Sequence, residues 1–246
     1  MEIKGKVAVV TGGSRGIGRA TAIKLAELGA DVAIIYASSD DKAKEVKGKI
    51  ESLGKKCKIY KCDVSNFNEV ENTVNEISQE FQRIDILVNN AGIAIKKDVG
   101  EMVESDWDRT INVNLNGMFN MCRFVVPIML KQGRGKIVNV SSLAGRNGGT
   151  LGIAYASSKA GVIGLTQSLA SELTGKGILV NAVAPGPVFT DLVSGLTEEA
   201  IKTVEKLSPV GRFAQPEEIA HAIIFLVEND YIAGEVININ AGRYIN

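Results

Sequence analysis

Short, almost unbroken apolar runs, separated by longer amphipathic segments, constrain this chain more than any other feature. Residues 7–10, 32–36, 84–88, 136–140, 178–183 and 235–239 are such runs, and Cys57–Lys61 is a more polar seventh. A strand with one wet face alternates apolar and polar residues, whereas a strand covered on both faces does not. The covering segments carry the helical period. Phe67, Val70, Val74, Ile77 and Phe81 step by three and four and line one face. Asn66 with Glu69 three residues later is a capping-box-like start. Val46, Ile50 and Leu53 repeat the pattern, and Gly54 and Gly29 stand where two helices should end. The alternation predicts an α/β fold: one Rossmann-like domain over residues 1–246, with a doubly wound parallel sheet of about seven strands and helices on both faces. Residues 185–209 mix loop signals with a short helix at 197–207, and read either as a surface excursion or as a lid.

Composition removes several function classes. Lys plus Arg number 28 and Asp plus Glu number 28, so no basic excess points to nucleic acid and no single-sign field to a membrane. Cys57, Cys62 and Cys122 are odd in number and form no CxxC pair, which suits free thiols in a reducing compartment. His221 is the single histidine, so metal sites and Ser-His-Asp catalysis lack their usual ligand and base, and no metal is expected. No leader-like segment and no apolar stretch of bilayer length is seen, which makes the cytoplasm the expected location.

Chemistry begins after the first run. Gly12, Ser14, Arg15, Gly16, Ile17 and Gly18 stand between the first strand and the first helix. Glycines there permit a tight turn and close backbone approach, and the free N–H groups of a helix start can face a pyrophosphate. A lone glycine run is weak evidence, but one in this position indicates a dinucleotide site. An acidic residue directly after the second strand would accept bonds from both ribose hydroxyls and favour NAD(H). Here Ser38 and Ser39 come first, and Asp40 and Asp41 follow late. With Arg15 in the glycine turn to meet a 2′-phosphate and Ser38 to donate a hydrogen bond, NADP(H) is favoured, with NAD(H) the alternative.

Four further segments complete a pattern: Asn89-Asn90-Ala91-Gly92, Ser141-Ser142, Tyr155-Ala156-Ser157-Ser158-Lys159 and Pro185-Gly186-Pro187. In this order and spacing the chain resembles the short-chain dehydrogenase/reductase family over its whole length, with a likeness to its 3-oxoacyl-acyl-carrier-protein reductases. The resemblance implies a catalytic group of Asn114, Ser142, Tyr155 and Lys159, with Asn112 and Ser141 as near neighbours outside it. It also implies cofactor contacts from Asp63 and Val64 at adenine and from Asn90, Ala91 and Gly92 at the pocket floor. Pro185, Gly186, Val188 and Thr190 would meet the nicotinamide end, and Tyr155 and Lys159 would meet the cofactor as well. The implied substrates are 3-oxoacyl thioesters on acyl-carrier protein or coenzyme A, and the implied assembly is a homotetramer. A sugar, polyol or secondary-alcohol dehydrogenase is the rival enzyme, and a non-catalytic nicotinamide-binding sensor the rival of another class.

On a helix Tyr155 and Lys159 share a face. A Tyr-x-x-x-Lys pair alone is more often a packed ring beside a solvated amine. Within the joint pattern, the ammonium is expected to lower the phenol's pKa toward the working range of a general acid. Ser142 would hold a substrate carbonyl, and Asn114, on one long helix of residues 107–129, would bind a water linking Lys159 to solvent. Lys131, Arg134 and Lys176 are candidates for a basic patch at the mouth, facing an acidic carrier protein. Two positions depart from the family pattern: Gly133, where such reductases often carry arginine, and the tail Asn240-Ala241-Gly242-Arg243-Tyr244, where two glycines are usual.

Overall fold

A computed structural model describes residues 1–190 and 197–245. The elements in chain order are β1 (Val7–Thr11), α1 (Gly16–Glu27), β2 (Asp31–Tyr36), α2 (Asp40–Ser52), β3 (Cys57–Lys61), α3 (Phe67–Phe81), β4 (Ile86–Asn89), α4 (Glu104–Ile111) and α5 (Gly117–Gln132). There follow β5 (Gly135–Val140), α6 (Ala144–Asn147), α7 (Ile153–Leu173), β6 (Ile178–Pro185), α8 (Glu198–Lys206), α9 (Pro216–Glu228) and β7 (Val236–Ile239). The strands form one sheet in the order β3-β2-β1-β4-β5-β6-β7, and every pairing is parallel. The order reverses between β1 and β4, so crossovers leave in opposite directions there and open a crevice at the carboxyl ends of the strands.

The unbroken apolar runs are explained by two cores. Ala8, Val10, Val32 and Ile34 face α1, α2 and α9 on one side. Their neighbours Val7, Val9, Ala33 and Ile35 face α3, α5 and α7 on the other. Strand β3 is the sheet's edge, and its mixed burial accounts for its polar composition. All three cysteines are buried free thiols, as expected.

Helix starts and stops follow local chemistry. The Asn66 side chain accepts hydrogen bonds from the N–H groups of Asn68 and Glu69, both at 3.2 Å. The reciprocal half of the expected box is absent. Glu69 instead accepts from the Asn66 side-chain amide and from the backbone N–H of Asp63, so it braces the loop after β3. Phe67 is 43% exposed and meets Phe124 edge-on rather than the core. Gly133 caps α5 at φ +67°, a conformation that suits glycine. This is why arginine would be a poor fit there.

The expected single helix over 107–129 is interrupted. Residues Asn112–Asn116 form a π-turn between α4 and α5. One extra residue in the turn rotates Asn114 inward, where it is fully buried. The short helix read at 197–207 is present as α8 and has no buried residue. Its excursion is closed at the neck by a bridge between Val188 and Ala214, and residues 191–196 of the suggested lid lie outside the described residues. Among the described residues no helix is long and apolar enough to cross a membrane, and no cluster of His, Cys, Asp and Glu could hold a metal ion.

Replacing Asn66 by alanine removes the acceptor for two N–H groups at the start of α3. The variant is expected to lose about 1 kcal/mol of stability. Thermal melting should show a fall of about 2–4 °C.

Candidate active site

The functional side chains are gathered because their motifs all end strands on the same lip of the sheet. The glycine turn follows β1, Asn90-Ala91-Gly92 follows β4, Ser141-Ser142 follows β5, and Pro185-Gly186 stands at the end of β6. The turn is tight enough that a Cβ on Gly18 would lie 2.3 Å from the Gly12 carbonyl oxygen. Asn90 clamps it, donating from its side-chain amide to the carbonyls of Thr11 (3.0 Å) and Gly12 (3.2 Å). The Thr11 hydroxyl in turn accepts from the N–H groups of Asn90 and Ala91. Arg15 stands at the N-terminal boundary of α1 and supplies no side-chain cap, and the first turn carries no acid. The start of α1 thus keeps the N–H groups and positive dipole end that suit an anion. Ser14 is buried in the turn, Ile17 packs against the core, and Gly16 lies beside Thr190, whose methyl would be 3.1 Å from a Cβ there.

At the end of the crevice beside β2, Ser38 is exposed just beyond the strand. Asp63 is held by the hydroxyl and N–H of Ser65 and by Arg109 at 2.9 Å. Burial pushes its carboxyl up, but the Ser65 bonds and the Arg109 guanidinium outweigh this and hold it below the usual range. Val64 is buried, and its carbonyl accepts from Asn120. At the other end Val188 forms the neck bridge, and the Gly186 N–H donates to the Ile239 carbonyl. The tail turns on Asn240, whose side chain accepts from the N–H groups of Gly242 and Tyr244. This places the atypical tail against Pro185-Gly186, since a Cβ on Gly186 would lie 3.1 Å from the Asn240 Cα.

In the centre, α7 brings Tyr155 and Lys159 under the lip. Lys159 is 3% exposed and donates from Nζ to the Val140 carbonyl at 2.7 Å. The ammonium stands 5.7 Å from the Tyr155 ring centroid. The Ser142 hydroxyl neighbours the Tyr155 hydroxyl and accepts from the Ala144 N–H at 3.1 Å, while its neighbour Ser141 is buried and donates to the Lys159 carbonyl. The pair is thereby sorted, with Ser142 facing the phenol and Ser141 anchoring the helix. Gly92 lies beside this cluster, since a Cβ there would be 3.2 Å from Asn114 Oδ1 and 3.5 Å from Lys159 Nζ.

Two expectations are corrected. The phenol is not lowered by its lysine. Burial pushes the Tyr155 pKa up, and the Ser142 hydroxyl offsets this only in part. The same burial lowers Lys159 to about 8, because a dry pocket disfavours the charged form of both groups. The Asn114 side chain is tied on three sides. Its amide donates to the Ile93 carbonyl (2.9 Å) and the Ser158 hydroxyl (3.0 Å), and its oxygen accepts from the Ile93 N–H (2.8 Å). Finally, Lys131, Arg134 and Lys176 do not flank the mouth within this chain. They lie where β5 and β6 begin, about 20 Å along the strand from Ser142, and Lys176 pairs with Glu172.

Several participants were not evident from sequence. Ser158 links Asn114 to the Tyr155 carbonyl, and its position on the face shared by Tyr155 and Lys159 was an available signal. Thr11 ends the first strand, where a hydroxyl beside the glycine turn could have been noticed. Arg109 is 46 residues from Asp63, and nothing local in the chain announces their pairing.

The model of the short chain dehydrogenase family matches residues 6–201. The chain is 44% identical over 247 residues to the 3-oxoacyl-acyl-carrier-protein reductase FabG of Thermotoga maritima, covering 100% of both chains. It is 43% identical over 249 residues to that of Aquifex aeolicus, covering 99% of this chain and 100% of the relative. Among solved structures it is similar to levodione reductase, with 31% identity, a TM-score of 0.93 and 98% of each chain covered. It is also similar to a Beutenbergia cavernae protein assigned as an NAD(P)-dependent gluconate 5-dehydrogenase and holding NADP at low occupancy. That structure shares 34% identity, with a TM-score of 0.92 and 99% of each chain covered.

The unfolded chain keeps a proton on Lys159 up to about pH 10.5, whereas the folded chain releases it near 8. The unfolded state therefore binds more protons between these values, and this group makes stability rise with pH across that window. Chemical denaturation of the wild type and Lys159→Met should show their difference moving in the wild type's favour from pH 8 to 10.5. The change should be at most about 3 kcal/mol. A flat difference would mean that the amine is solvated.

Proposed function

The chain belongs to the short-chain dehydrogenase family, and from that membership we propose that it is an NADP(H)-dependent reductase of 3-oxoacyl thioesters, carried on acyl-carrier protein or coenzyme A. The observation that carries the reading is the cluster of Ser142, Tyr155 and Lys159 on a crevice lip next to an uncapped helix start. The names of the full-length relatives support the substrate class.

The site fits a dinucleotide. The crevice lies at the reversal of strand order, and the start of α1 offers N–H groups without a competing carboxylate. Gly12, Ser14, Gly16, Ile17 and Gly18 would border the pyrophosphate, and Arg15 and Ser38 would take a 2′-phosphate. Asp63 and Val64 would meet the adenine, Asn90, Ala91 and Gly92 the pocket floor, and Pro185, Gly186, Val188 and Thr190 the nicotinamide amide. When bound, the reduced nicotinamide supplies the hydride to the carbonyl carbon.

The protein's own residues do the rest. Ser142 donates to the substrate carbonyl oxygen and sets it beside Tyr155. Burial keeps the phenol protonated at neutral pH, which is the form a reduction consumes. Tyr155 passes its hydroxyl proton to the oxygen as the alcohol forms. Lys159, lowered to about 8, restores that proton at small cost and holds the nicotinamide ribose. Asn114 is a positioning residue. It fixes Ile93 after β4 to Ser158 on α7 and so sets the distance between pocket floor and catalytic helix. Exposed Trp107, Phe119 and Leu130 on α4 and α5, with Phe225 on α9, favour assembly through these helices, and a cytoplasmic homotetramer is the form we propose.

Tyr155→Phe tests the chemistry. It should keep NADPH affinity within about twofold and lose about 100-fold or more in reduction of an acetoacetyl thioester. Wild-type reduction should slow as pH rises through about 8, where Lys159 loses its proton. Unchanged turnover in the variant would remove Tyr155 as the acid. Turnover of gluconate-type substrates alone would move the reading to a sugar acid dehydrogenase.

A further inference from the structure

The first acidic residue after β2 is Asp40, and a carboxylate at this end of the crevice would repel a 2′-phosphate. Asp40 is drawn away from that role. The Tyr36 hydroxyl neighbours it, and the Lys61 ammonium lies 3.3 Å from Oδ1 and 3.4 Å from Oδ2. Oδ1 is shut off from solvent and has no hydrogen-bond donor, so the ammonium across 3.3 Å is what compensates it. Sheet register produces the arrangement. Tyr36 and Lys61 are direct partners at the last rung of the β2–β3 pair, and Thr11 pairs with Ile35 one strand over. Arg15, Ser38, Asp40 and Lys61 therefore all belong to the same lip of the sheet.

We infer that Lys61 is a specificity-determining residue for the cofactor: by neutralising Asp40 it removes the charge that would oppose a 2′-phosphate near Arg15 and Ser38, and so favours NADP(H) over NAD(H). The inference rests on the proposed nicotinamide site. Lys61 acts through Asp40 and not by direct contact. The loss on removing Lys61 should therefore be cancelled by removing Asp40 as well, and should shrink at high ionic strength.

The test is a cycle of dissociation constants for NADPH and NADH, read by nicotinamide fluorescence at low salt. It uses the wild type, Lys61→Met, Asp40→Asn and the double variant, each checked for folding by circular dichroism. Lys61→Met should weaken NADPH about threefold to tenfold and NADH by less than about twofold. Asp40→Asn alone should tighten NADPH modestly, because it leaves the Lys61 ammonium uncompensated, and the double variant should return NADPH to within about twofold of the wild type. An NADPH loss that persists in the double variant would make Lys61 a direct phosphate ligand and overturn the inference. So would an unchanged NADPH constant in Lys61→Met. A wild type that binds both cofactors equally, or prefers NADH, would instead sink the reading of Arg15 and Ser38 on which the inference stands.

Discussion

The attachment of α7 to the sheet through buried polar groups is the constraint on which the site depends. A helix this deeply placed would ordinarily pack with an apolar stripe. Here the inward face carries Tyr155, Ser158, Lys159 and Thr166, all buried. Each finds a specific partner. Ser141 holds the Lys159 carbonyl, Lys159 holds the Val140 carbonyl, and Asn114 holds Ser158. Deeper in the sheet, Asn89 donates to Asn139, and Asn139 donates to Thr166. Apolar packing tolerates sliding of a helix by a fraction of a turn, but hydrogen bonds do not, because a shift leaves donors unpaired in a dry interior. The register of Tyr155 against Ser142 is thus set by bonds that take no part in chemistry.

A division of labour between sequence neighbours recurs along the crevice. Ser141 is buried and structural, whereas Ser142 meets the phenol. Asn89 sits in the polar ladder below the site, whereas Asn90 closes the glycine turn. Ser158 anchors, whereas Lys159 is the charged group. Strand ends explain the first two cases. The pleat turns successive side chains to opposite faces, so one residue of a pair goes to the core and the next to the lip. The paired motifs of the sequence are, physically, one support and one working group.

Much of the fold could be read from the chain. Unbroken apolar runs, helical steps such as Val70-Val74-Ile77-Phe81, and the Asn66 cap rest on local periods and local bonds, and the structure follows them. The family membership was also legible, because its motifs sit at strand ends in a fixed order. What escaped was set by long-range geometry. The π-turn at Asn112–Asn116 leaves no local mark, since it answers to the tertiary demand that Asn114 reach Ile93 and Ser158. Lys131, Arg134 and Lys176 looked like one patch near the mouth, but strand direction puts them at the far end of the sheet. The direction of the Tyr155 shift is not legible in the chain for a similar reason. Spacing reveals that an amine is close, but it cannot reveal that both groups are dry.

That dryness has two consequences that pull against each other. Burying an ammonium beside a phenol with one carbonyl for a partner costs stability, since few protein dipoles replace the lost water. The same burial keeps the phenol protonated and drives the two pKa values apart, Lys159 down to about 8 and Tyr155 upward. A tyrosinate left by proton donation therefore draws its replacement from Lys159 downhill, since the ammonium holds its proton less tightly than the phenol does. A solvated Lys159 would strengthen the fold and keep its proton to much higher pH, while leaving the phenol without a ready donor. The polar anchoring of α7 is therefore required twice: it offsets the cost of the buried charge, and it keeps water out of the place where that cost is incurred.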